Sequence, residues 1–337
     1  MFRYRRALII PSAAALFLFL SSCGGEEYRK QETYYLVAAN VNLPYWQTAR
    51  AGLAKAATEL GVSAEVKGPE TYDPNAQKEE FMKLVQAEKK PAGILVAPAD
   101  ANLMKEAIDQ AASAGINVAT IDSDSPTSKR LFFVGSANYD IGVESGRYTV
   151  EKLGRAGTVI VYTISGLTNI EDRLRGYKDV FNNYPAVKII ETVDIKGQAT
   201  IAFDRTKELV AKDRTRMDAF VCLETIACAE VAEVLSRNNI RDKVVIAMDA
   251  SERTLDWIQK GMIQATIAQR PYTMAYVGTR MLADLHKYPP TKAEAGSTLL
   301  TVPEMVNTGS VLVDKSNVAR FIKDQEAAAG GTGASQP

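Results

Sequence analysis

The chain has little of what metal-dependent and nucleophilic enzymes use, with three cysteines and one histidine in 337 residues. Cys222 and Cys228 are six positions apart and have no histidine nearby, which is not the ligand spacing of a zinc site. No glycine-rich phosphate loop follows the first predicted strand, and no G-x-S-x-G turn or H-E-x-x-H motif occurs. His286 lies at the predicted end of a helix, where a surface role is expected. We therefore predict no metal, no cofactor and no enzymatic activity.

The chain also lacks an excess of charge of either sign, because 40 Lys and Arg residues balance 40 Asp and Glu residues. A neutral protein has no long-range field that concentrates it on nucleic acid or on an anionic surface. Hydrophobic residues make up 46% of the sequence, which is typical of globular protein and sufficient for the cores of two domains. We therefore expect no nucleic-acid partner.

Residues 7–20 form a long apolar run that follows three arginines and is interrupted by Pro11. The run is shorter than the roughly 20 residues that a membrane-spanning helix needs. A charged start, an apolar middle and small residues at the end are typical of a secretory signal peptide. We therefore assign residues 1–22 to a signal peptide.

The motif Leu20-Ser21-Ser22-Cys23 resembles a bacterial lipobox. This resemblance implies that Cys23 becomes the acylated first residue of the mature chain, followed by a polar tether over residues 23–32. We expect a location in the periplasm or on the cell surface, with contact to the membrane through the lipid anchor alone.

Two cysteines then remain in a compartment that permits disulfides. Cys222 ends a predicted strand and Cys228 lies in the predicted helix that follows. We expect the two side chains to diverge, since bridge formation needs their Cα atoms within about 7 Å. Two buried thiols are the prediction and a disulfide is the alternative.

Short apolar runs alternate with segments of helical periodicity from residue 35 onward. Strands that are apolar throughout and separated by helices indicate parallel sheets covered on both faces. The runs are too many for one sheet, so we predict an α/β protein with two doubly wound lobes. The tail, residues 325–337, is small and polar and is predicted to be disordered. The predicted strands are 35–39, 93–97, 118–121, 131–134, 158–163, 188–193, 219–223, 244–248 and 263–268.

Polar residues follow the predicted strands directly, and in open α/β sheets ligands bind at the carboxyl ends of the strands. Carboxylates, amides and hydroxyls can pair with the hydroxyl groups of a polyol. An apolar surface for the ring of such a ligand could come from Tyr45 and Trp46, which open the first helix. The strand-end residues are Asn40, Asn42, Asp122, Ser136, Glu224, Asp249 and Gln269.

Five motifs appear together in one order along the chain: Asn42-Leu43-Pro44-Tyr45-Trp46, Ile121-Asp122, Ser136-Ala137-Asn138 with Gly142 and Gly146, Arg173-Leu174-Arg175-Gly176-Tyr177, and Met248-Asp249 with Ala265-Thr266-Ile267-Ala268-Gln269. This order resembles the type I periplasmic sugar-binding proteins of the ribose-binding branch. The resemblance covers nearly the whole mature chain. Its most specific block runs from Met248 to Gln269.

The resemblance implies two Rossmann-like lobes joined by a three-segment hinge, with lobe 1 over residues 33–136 plus 270–304 and lobe 2 over 137–269 plus 305–324. It also implies a monomer that delivers a solute to an ABC transporter permease. The sugar contacts that it implies are Tyr45, Trp46, Asp122, Ser136, Arg173, Asp249 and Gln269.

Two positions depart from the family pattern. Leu43 stands where an asparagine ordinarily precedes the proline, and Glu224 stands where an Asn or Asp is expected. Asn40 or Asn42 could replace the lost side-chain hydrogen bond. Three acidic residues face Arg173 alone, an arrangement that disfavours an anion. We therefore expect a neutral monosaccharide or polyol, with ribose and other sugars both left open and an amino sugar as the alternative.

Two other functions use the same kind of pocket. A receptor for a sugar or an autoinducer would report to a chemoreceptor or a sensor kinase instead of a permease. A glycoside-processing enzyme would use two carboxylates such as Asp122 and Asp249. A sugar-responsive repressor is excluded, because a signal peptide stands where its DNA-binding helices would be.

Overall fold

The computed structural model describes residue 28 and residues 31–289 and 302–330. The predicted signal peptide, the lipidation site Cys23 and most of the predicted tether lie outside the described residues. So do residues 290–301, which the sequence assigns to lobe 1. Within the described residues, no helix is both long enough and apolar enough to span a bilayer.

Strands and helices alternate along most of the described chain. The strands are β1 (Thr33–Val37), β2 (Ser63–Lys67), β3 (Gly93–Val96), β4 (Asn117–Ile121), β5 (Phe133–Gly135), β6 (Gly157–Thr163), β7 (Val187–Asp194), β8 (Ala219–Cys222), β9 (Val244–Met248), β10 (Ala265–Ala268), β11 (Met305–Asn307) and β12 (Val311–Asp314). The helices are α1 (Pro44–Leu60), α2 (Pro74–Gln86), α3 (Ala101–Ser113), α4 (Asn138–Lys152), α5 (Thr168–Asn182), α6 (Ala199–Asp213), α7 (Ala227–Arg237), α8 (Glu252–Gln259), α9 (Pro271–Lys287) and α10 (Val318–Gly330).

Two six-stranded sheets result, and they have equivalent strand orders. The first is β11-β5-β4-β3-β1-β2 and the second is β12-β10-β9-β8-β6-β7. All pairs are parallel except β10 with β12. The predicted α/β architecture of two doubly wound lobes is confirmed.

The central strands are buried on both faces because helices cover each side of each sheet. In β3, Ile94 packs in one hydrophobic cluster and its neighbour Leu95 packs in another. This follows from the two-residue period of a strand, which directs successive side chains to opposite faces. The central strands therefore read as continuous apolar runs, which explains why the sequence identifies them.

The chain crosses between the lobes three times. It leaves the first sheet after β5, returns from β10 to α9, and crosses again between β11 and β12. The third crossing corrects a predicted boundary, since residues 305–307 were assigned to lobe 2. They form β11, which pairs with β5 in the first sheet, so the crossing falls at residues 308–310.

Three strands were not predicted, and all of them lie at sheet edges: β2, β11 and β12. β2 and β11 contain no long apolar run, and the run in β12 is only three residues, Val311–Val313, so none of them shows the pattern that identifies a central strand. The predicted disordered tail also needs correction. Helix α10 continues to Gly330, through the first six residues of the segment 325–337. The remainder of that segment is outside the described residues.

The prediction of two buried thiols is wrong, because Cys222 and Cys228 form a disulfide. Cys222 ends β8, and Cys228 is the second residue of α7. The short loop between them turns the chain directly from the strand into the helix, which brings the two Cα atoms to 5.7 Å. That separation suits a bridge. The two side chains therefore converge, contrary to the expected divergence.

Helices α4 and α5 lie in close contact because glycines remove the side chains between them. A Cβ atom on Gly142 would lie 2.1 Å from the carbonyl oxygen of Arg173, and one on Gly176 would lie 2.4 Å from that of Tyr139. No side chain fits at such distances. The close approach fixes the position of α5, which carries Arg173 and Asn169.

We predict that Gly142→Ala destabilises the protein by about 2 kcal/mol or more, because the methyl group overpacks the contact. Gly146→Ala is the control, since its nearest neighbour, the Cβ of Val180, is 3.2 Å away and can yield slightly. The gain of about 1 kcal/mol in helix propensity should offset that contact. Urea unfolding measures both. Equal stability of the two variants would contradict the α4–α5 packing argument.

Candidate ligand-binding site

A cavity of about 80 Å³ lies between the carboxyl ends of the two sheets. The space suits a small solute. Of the residues predicted from the sequence, the cavity is lined by Asn40, Tyr45, Trp46, Asp122, Arg173, Glu224, Asp249 and Gln269.

Two predicted residues are not among those that line the cavity. Asn42 is exposed, and its amide donates to the carbonyl oxygen of Glu70 at 3.1 Å. Ser136 is buried at the first lobe crossing, where its hydroxyl lies 3.4 Å from the carbonyl oxygen of Gly309. Ser136 thus joins the first crossing to the third. Its contact is with the hinge.

Asp122 and Asp249 occupy equivalent positions, one directly after β4 and one directly after β9. Both have left-handed backbone conformations, with φ of 65° and 64°. Each backbone N–H still donates to the neighbouring strand, from Asp122 to Val134 at 3.0 Å and from Asp249 to Ile267 at 2.8 Å. Left-handed conformations are uncommon for residues other than glycine and occur often at functional sites. The two turns place one carboxylate from each lobe at the cavity.

Asp122 accepts hydrogen bonds from both lobes. The hydroxyl of Tyr45 donates to Oδ1 at 2.7 Å, and the side-chain amide of Asn169 donates to Oδ2 at 3.1 Å. Tyr45 is in the first lobe, and Asn169 is the second residue of α5 in the other lobe. The hydrogen bond from Asn169 therefore crosses the cleft between the lobes.

Asp249 and Gln269 meet at the ends of adjacent strands, β9 and β10. The amide nitrogen of Gln269 donates to Oδ1 of Asp249 at 3.1 Å. Among the described residues, the buried Oε1 of Gln269 has no hydrogen-bond partner. A buried acceptor without a partner costs free energy. This oxygen is therefore available to a donor on a ligand.

The guanidinium of Arg173 is held at two nitrogens and free at the third. Nε donates to Oδ1 of Asn138 at 2.9 Å, and one terminal nitrogen donates to the carbonyl oxygen of Leu223 at 2.7 Å. The other terminal nitrogen is buried without a partner in the described part of the chain. The Arg173 side chain lines the cavity, so this nitrogen is a fixed donor for a ligand oxygen.

Glu224 has a role that the sequence did not predict. Its carboxylate accepts from the backbone N–H of Ile226 at 2.5 Å and of Ala227 at 3.0 Å. These groups are at the start of α7, where free N–H groups favour a negative charge. Glu224 lines the cavity and at the same time caps the helix.

Burial raises the pKa of all three cavity carboxyl groups. The pKa of Glu224 is raised to about 7, and the N–H groups at the start of α7 partly oppose that rise. The pKa of Asp249 is raised to about 6, with Arg173 opposing the effect of burial. The pKa of Asp122 is raised for the same reason, and burial also raises the pKa of the Tyr45 hydroxyl. Burial in this cavity therefore disfavours ionisation of all three carboxyl groups at once.

Aromatic and aliphatic side chains supply the apolar part of the wall. The rings of Tyr45 and Trp46 meet edge to face, with centroids 5.1 Å apart and planes at 80°. Tyr72 was not predicted, and its hydroxyl donates to the carbonyl oxygen of Ala99 at 2.6 Å. The aliphatic lining residues include Leu43, Ile164, Leu167 and Ile170.

Sequence reasoning also missed Ser123, Asn169 and Thr225, which line the cavity. Asn169 lies six residues beyond the end of β6, so the strand-end rule, which selected Asp122 directly after β4, does not reach it. Tyr72 lies in the loop after the unpredicted strand β2 and had no strand-end signal either. In the described segments, no group of three or more His, Cys, Asp or Glu residues could hold a metal ion.

We predict that the ligand-free protein loses stability as the pH rises from 5 to 8. The pKa of Glu224 is higher in the folded state than its ordinary 4.5, so the folded state binds the extra proton and is favoured at low pH. Glu224 contributes about 3 kcal/mol, which is lost progressively between pH 4.5 and 7 and is gone above pH 7. Urea unfolding across this range should show a smaller loss in Glu224→Gln than in the wild type. Identical losses would contradict the assignment, and Glu88→Gln, an exposed loop variant, is the control.

Comparison with known proteins places this geometry in a family. The profile described as periplasmic binding protein domain matches residues 34–288. The D-allose-binding periplasmic protein of Escherichia coli (strain K12) is 22% identical over 264 residues, which covers 75% of this chain and 84% of that protein. The ribose import binding protein of Bacillus subtilis (strain 168) is 22% identical over 264 residues, which covers 76% of this chain and 82% of that protein.

A solved structure has the same fold. The arabinose binding protein from Geobacillus stearothermophilus aligns with a TM-score of 0.72 and 27% identity, covering 86% of this chain and 99% of that one. The family profile includes every residue that lines the cavity. The chain therefore belongs to the periplasmic binding protein domain family, in the type I arrangement of two lobes joined by three crossings.

Proposed function

We propose that the protein is an extracytoplasmic solute-binding lipoprotein of an ABC-type importer. It binds a neutral monosaccharide or polyol between its two lobes and delivers it to a permease. The observation that carries this proposal is a small cavity with a carboxylate from each lobe, a fixed donor on Arg173 and, among the described residues, an unpaired acceptor on Gln269. The relatives named for allose, ribose and arabinose support the same class of ligand.

The arrangement of donors and acceptors suits hydroxyl groups. Each hydroxyl donates one hydrogen bond and can accept others, so it can donate to a carboxylate and accept from a guanidinium. The carboxylates of Asp122 and Asp249 can accept from neighbouring hydroxyls, and the free nitrogen of Arg173 can donate to one. The rings of Tyr45, Trp46 and Tyr72 suit the C–H faces of a sugar ring.

The charges of the cavity disfavour an anionic solute. Three acidic residues, Asp122, Glu224 and Asp249, line it, against the single guanidinium of Arg173. A ligand carboxylate or phosphate would add a fourth acidic group to a buried space where ionisation is already disfavoured. A neutral polyol adds no charge and supplies donors to the carboxylates that are already there.

Closure of the lobes would complete the site. Asn169 reaches Asp122 across the cleft, and beside it the hydroxyl of Thr168 accepts from the Asp124 N–H at 2.9 Å and donates to the Asp124 carbonyl oxygen at 3.0 Å. A ligand held by both lobes shifts the population from open to closed forms. The three crossings are the hinge of this motion.

We propose the location and the partners of the protein as well. Cys23 carries the lipid anchor, the mature chain is a monomer outside the cytoplasm, and an ABC permease receives the solute. The protein has no catalytic role. The family membership supports an extracytoplasmic location and a transport partner.

A thermal-shift screen of pentoses, hexoses and polyols tests the proposal. A ligand that binds only the folded state stabilises it by about 2.7 kcal/mol at a hundredfold excess over Kd. We expect at least one neutral sugar or polyol to raise the melting temperature clearly. No stabilisation by any of them, with stabilisation by an anionic solute, would overturn the proposal.

We predict that Asp249→Ala weakens binding of the sugar found in that screen by about 2 kcal/mol or more. The substitution removes a buried acceptor for ligand hydroxyls and leaves Gln269 and Arg173 without their neighbour. Isothermal titration calorimetry measures the affinity. Asn42→Ala is the control, because Asn42 is exposed outside the cavity lining, and it should bind as the wild type does. Unchanged affinity in Asp249→Ala would remove Asp249 from the ligand site.

We also predict that Thr168→Val weakens binding by about fivefold to 150-fold through faster dissociation. The substitution keeps the shape of the side chain and removes two cross-lobe hydrogen bonds, each of which contributes about 0.5–1.5 kcal/mol. Stopped-flow kinetics measures the dissociation rate. Thr48→Val, on the exposed face of α1, is the control. A normal dissociation rate in Thr168→Val would show that this contact does not stabilise the closed form.

A further inference from the structure

The disulfide closes one of the lobe 2 loops that line the cavity. Cys222 and Cys228 are both buried, and the four residues between Cys222 and α7 are 223–226. Glu224, Thr225 and Ile226 all line the cavity. The remaining residue, Leu223, supplies the carbonyl oxygen that holds Arg173. Every residue of this loop therefore either lines the site or positions a residue that does.

The equivalent loop of lobe 1 is held without a covalent bond. It lies between β3 and α3. The side chain of Gln77, the fourth residue of α2, holds this loop by hydrogen bonds. The side chain of Gln77 donates to the carbonyl oxygen of Ala97 at 2.6 Å and accepts from the N–H of Ala99 at 2.9 Å. The fourth residue of α6 in lobe 2 is Ala202, which cannot make such bonds. The disulfide therefore takes the place of the Gln77 contacts.

A disulfide that closes so short a loop adds little to the free energy of unfolding. Stabilisation by loop closure increases with the length of the closed loop. A sequence separation of six residues closes a short loop, so its effect on the unfolded chain is at the low end. The effect on the geometry of residues 223–226 is direct, because both ends of that loop are joined. Local order is the larger consequence.

We propose that the Cys222–Cys228 disulfide is a positioning element of the ligand site, which holds the 223–226 loop so that Glu224 and the Leu223 carbonyl keep their places against the ligand and Arg173. This proposal rests on the proposed function for the identity of the ligand. The loop order itself can be measured in the ligand-free protein. Loss of the bridge loosens the loop and lowers ligand affinity more than it lowers global stability.

Two double variants test the proposal: Cys222→Ala/Cys228→Ala and Cys222→Val/Cys228→Ala. The second keeps more of the buried volume, so it should fold if the first does not. Ile258→Val is the stability control, because Ile258 is fully buried in α8 of the same lobe and does not line the cavity. Melting temperature, backbone hydrogen exchange and affinity for D-ribose, D-allose and arabinose are measured for each protein.

We expect the amides of Ile226 and Ala227, which donate to Glu224, to exchange at least tenfold faster in a double variant than in Ile258→Val. We also expect affinity for the bound sugar to fall at least tenfold at a comparable melting temperature. Exchange and affinity that match the control would overturn the positioning role. If none of the three sugars binds the wild type, affinity is measured with the sugar found in the thermal-shift screen. If that screen finds none, the result counts against the proposed function, and the exchange rates alone then decide the role of the disulfide.

Discussion

Buried carboxylates without an ion pair are the constraint on which the rest of the site depends. Asp122 and Asp249 end equivalent strands in two sheets whose carboxyl edges face each other. Each is held in a left-handed turn, and each is stabilised by hydrogen bonds from neutral side chains. Burial raises the pKa of both groups, so the ionised form of each carboxyl group is unfavourable in the cavity. Donors on a ligand relieve that cost.

The surrounding structure keeps the polar groups of the cavity fixed before a ligand arrives. The glycine contact between α4 and α5 sets the position of Arg173, and the Leu223 carbonyl holds its guanidinium. The disulfide joins the two ends of the loop that carries that carbonyl. Fixed donors and acceptors lose little conformational freedom on binding, which favours affinity. A covalent link in lobe 2 and the amide of Gln77 in lobe 1 achieve this in different ways.

The sequence predicted the parts of the structure that follow from burial and from strand ends. Central strands such as β3 are apolar on both faces, and the turn residues Asp122 and Asp249 follow such strands directly. Edge strands such as β2 carry no continuous apolar run, so they were missed. Contacts that arise from tertiary structure were also missed. The capping role of Glu224 and the convergence of the two cysteines depend on how tightly one loop turns, which periodicity does not encode.

A crystal structure of the protein with the sugar found by the thermal-shift screen tests the central claim most directly. The account predicts a single ring in the cavity, with hydroxyls within hydrogen-bond distance of both Asp122 and Asp249 and of the free Arg173 nitrogen. A sugar bound outside this cavity, or one that contacts the carboxylate of a single lobe, would contradict it.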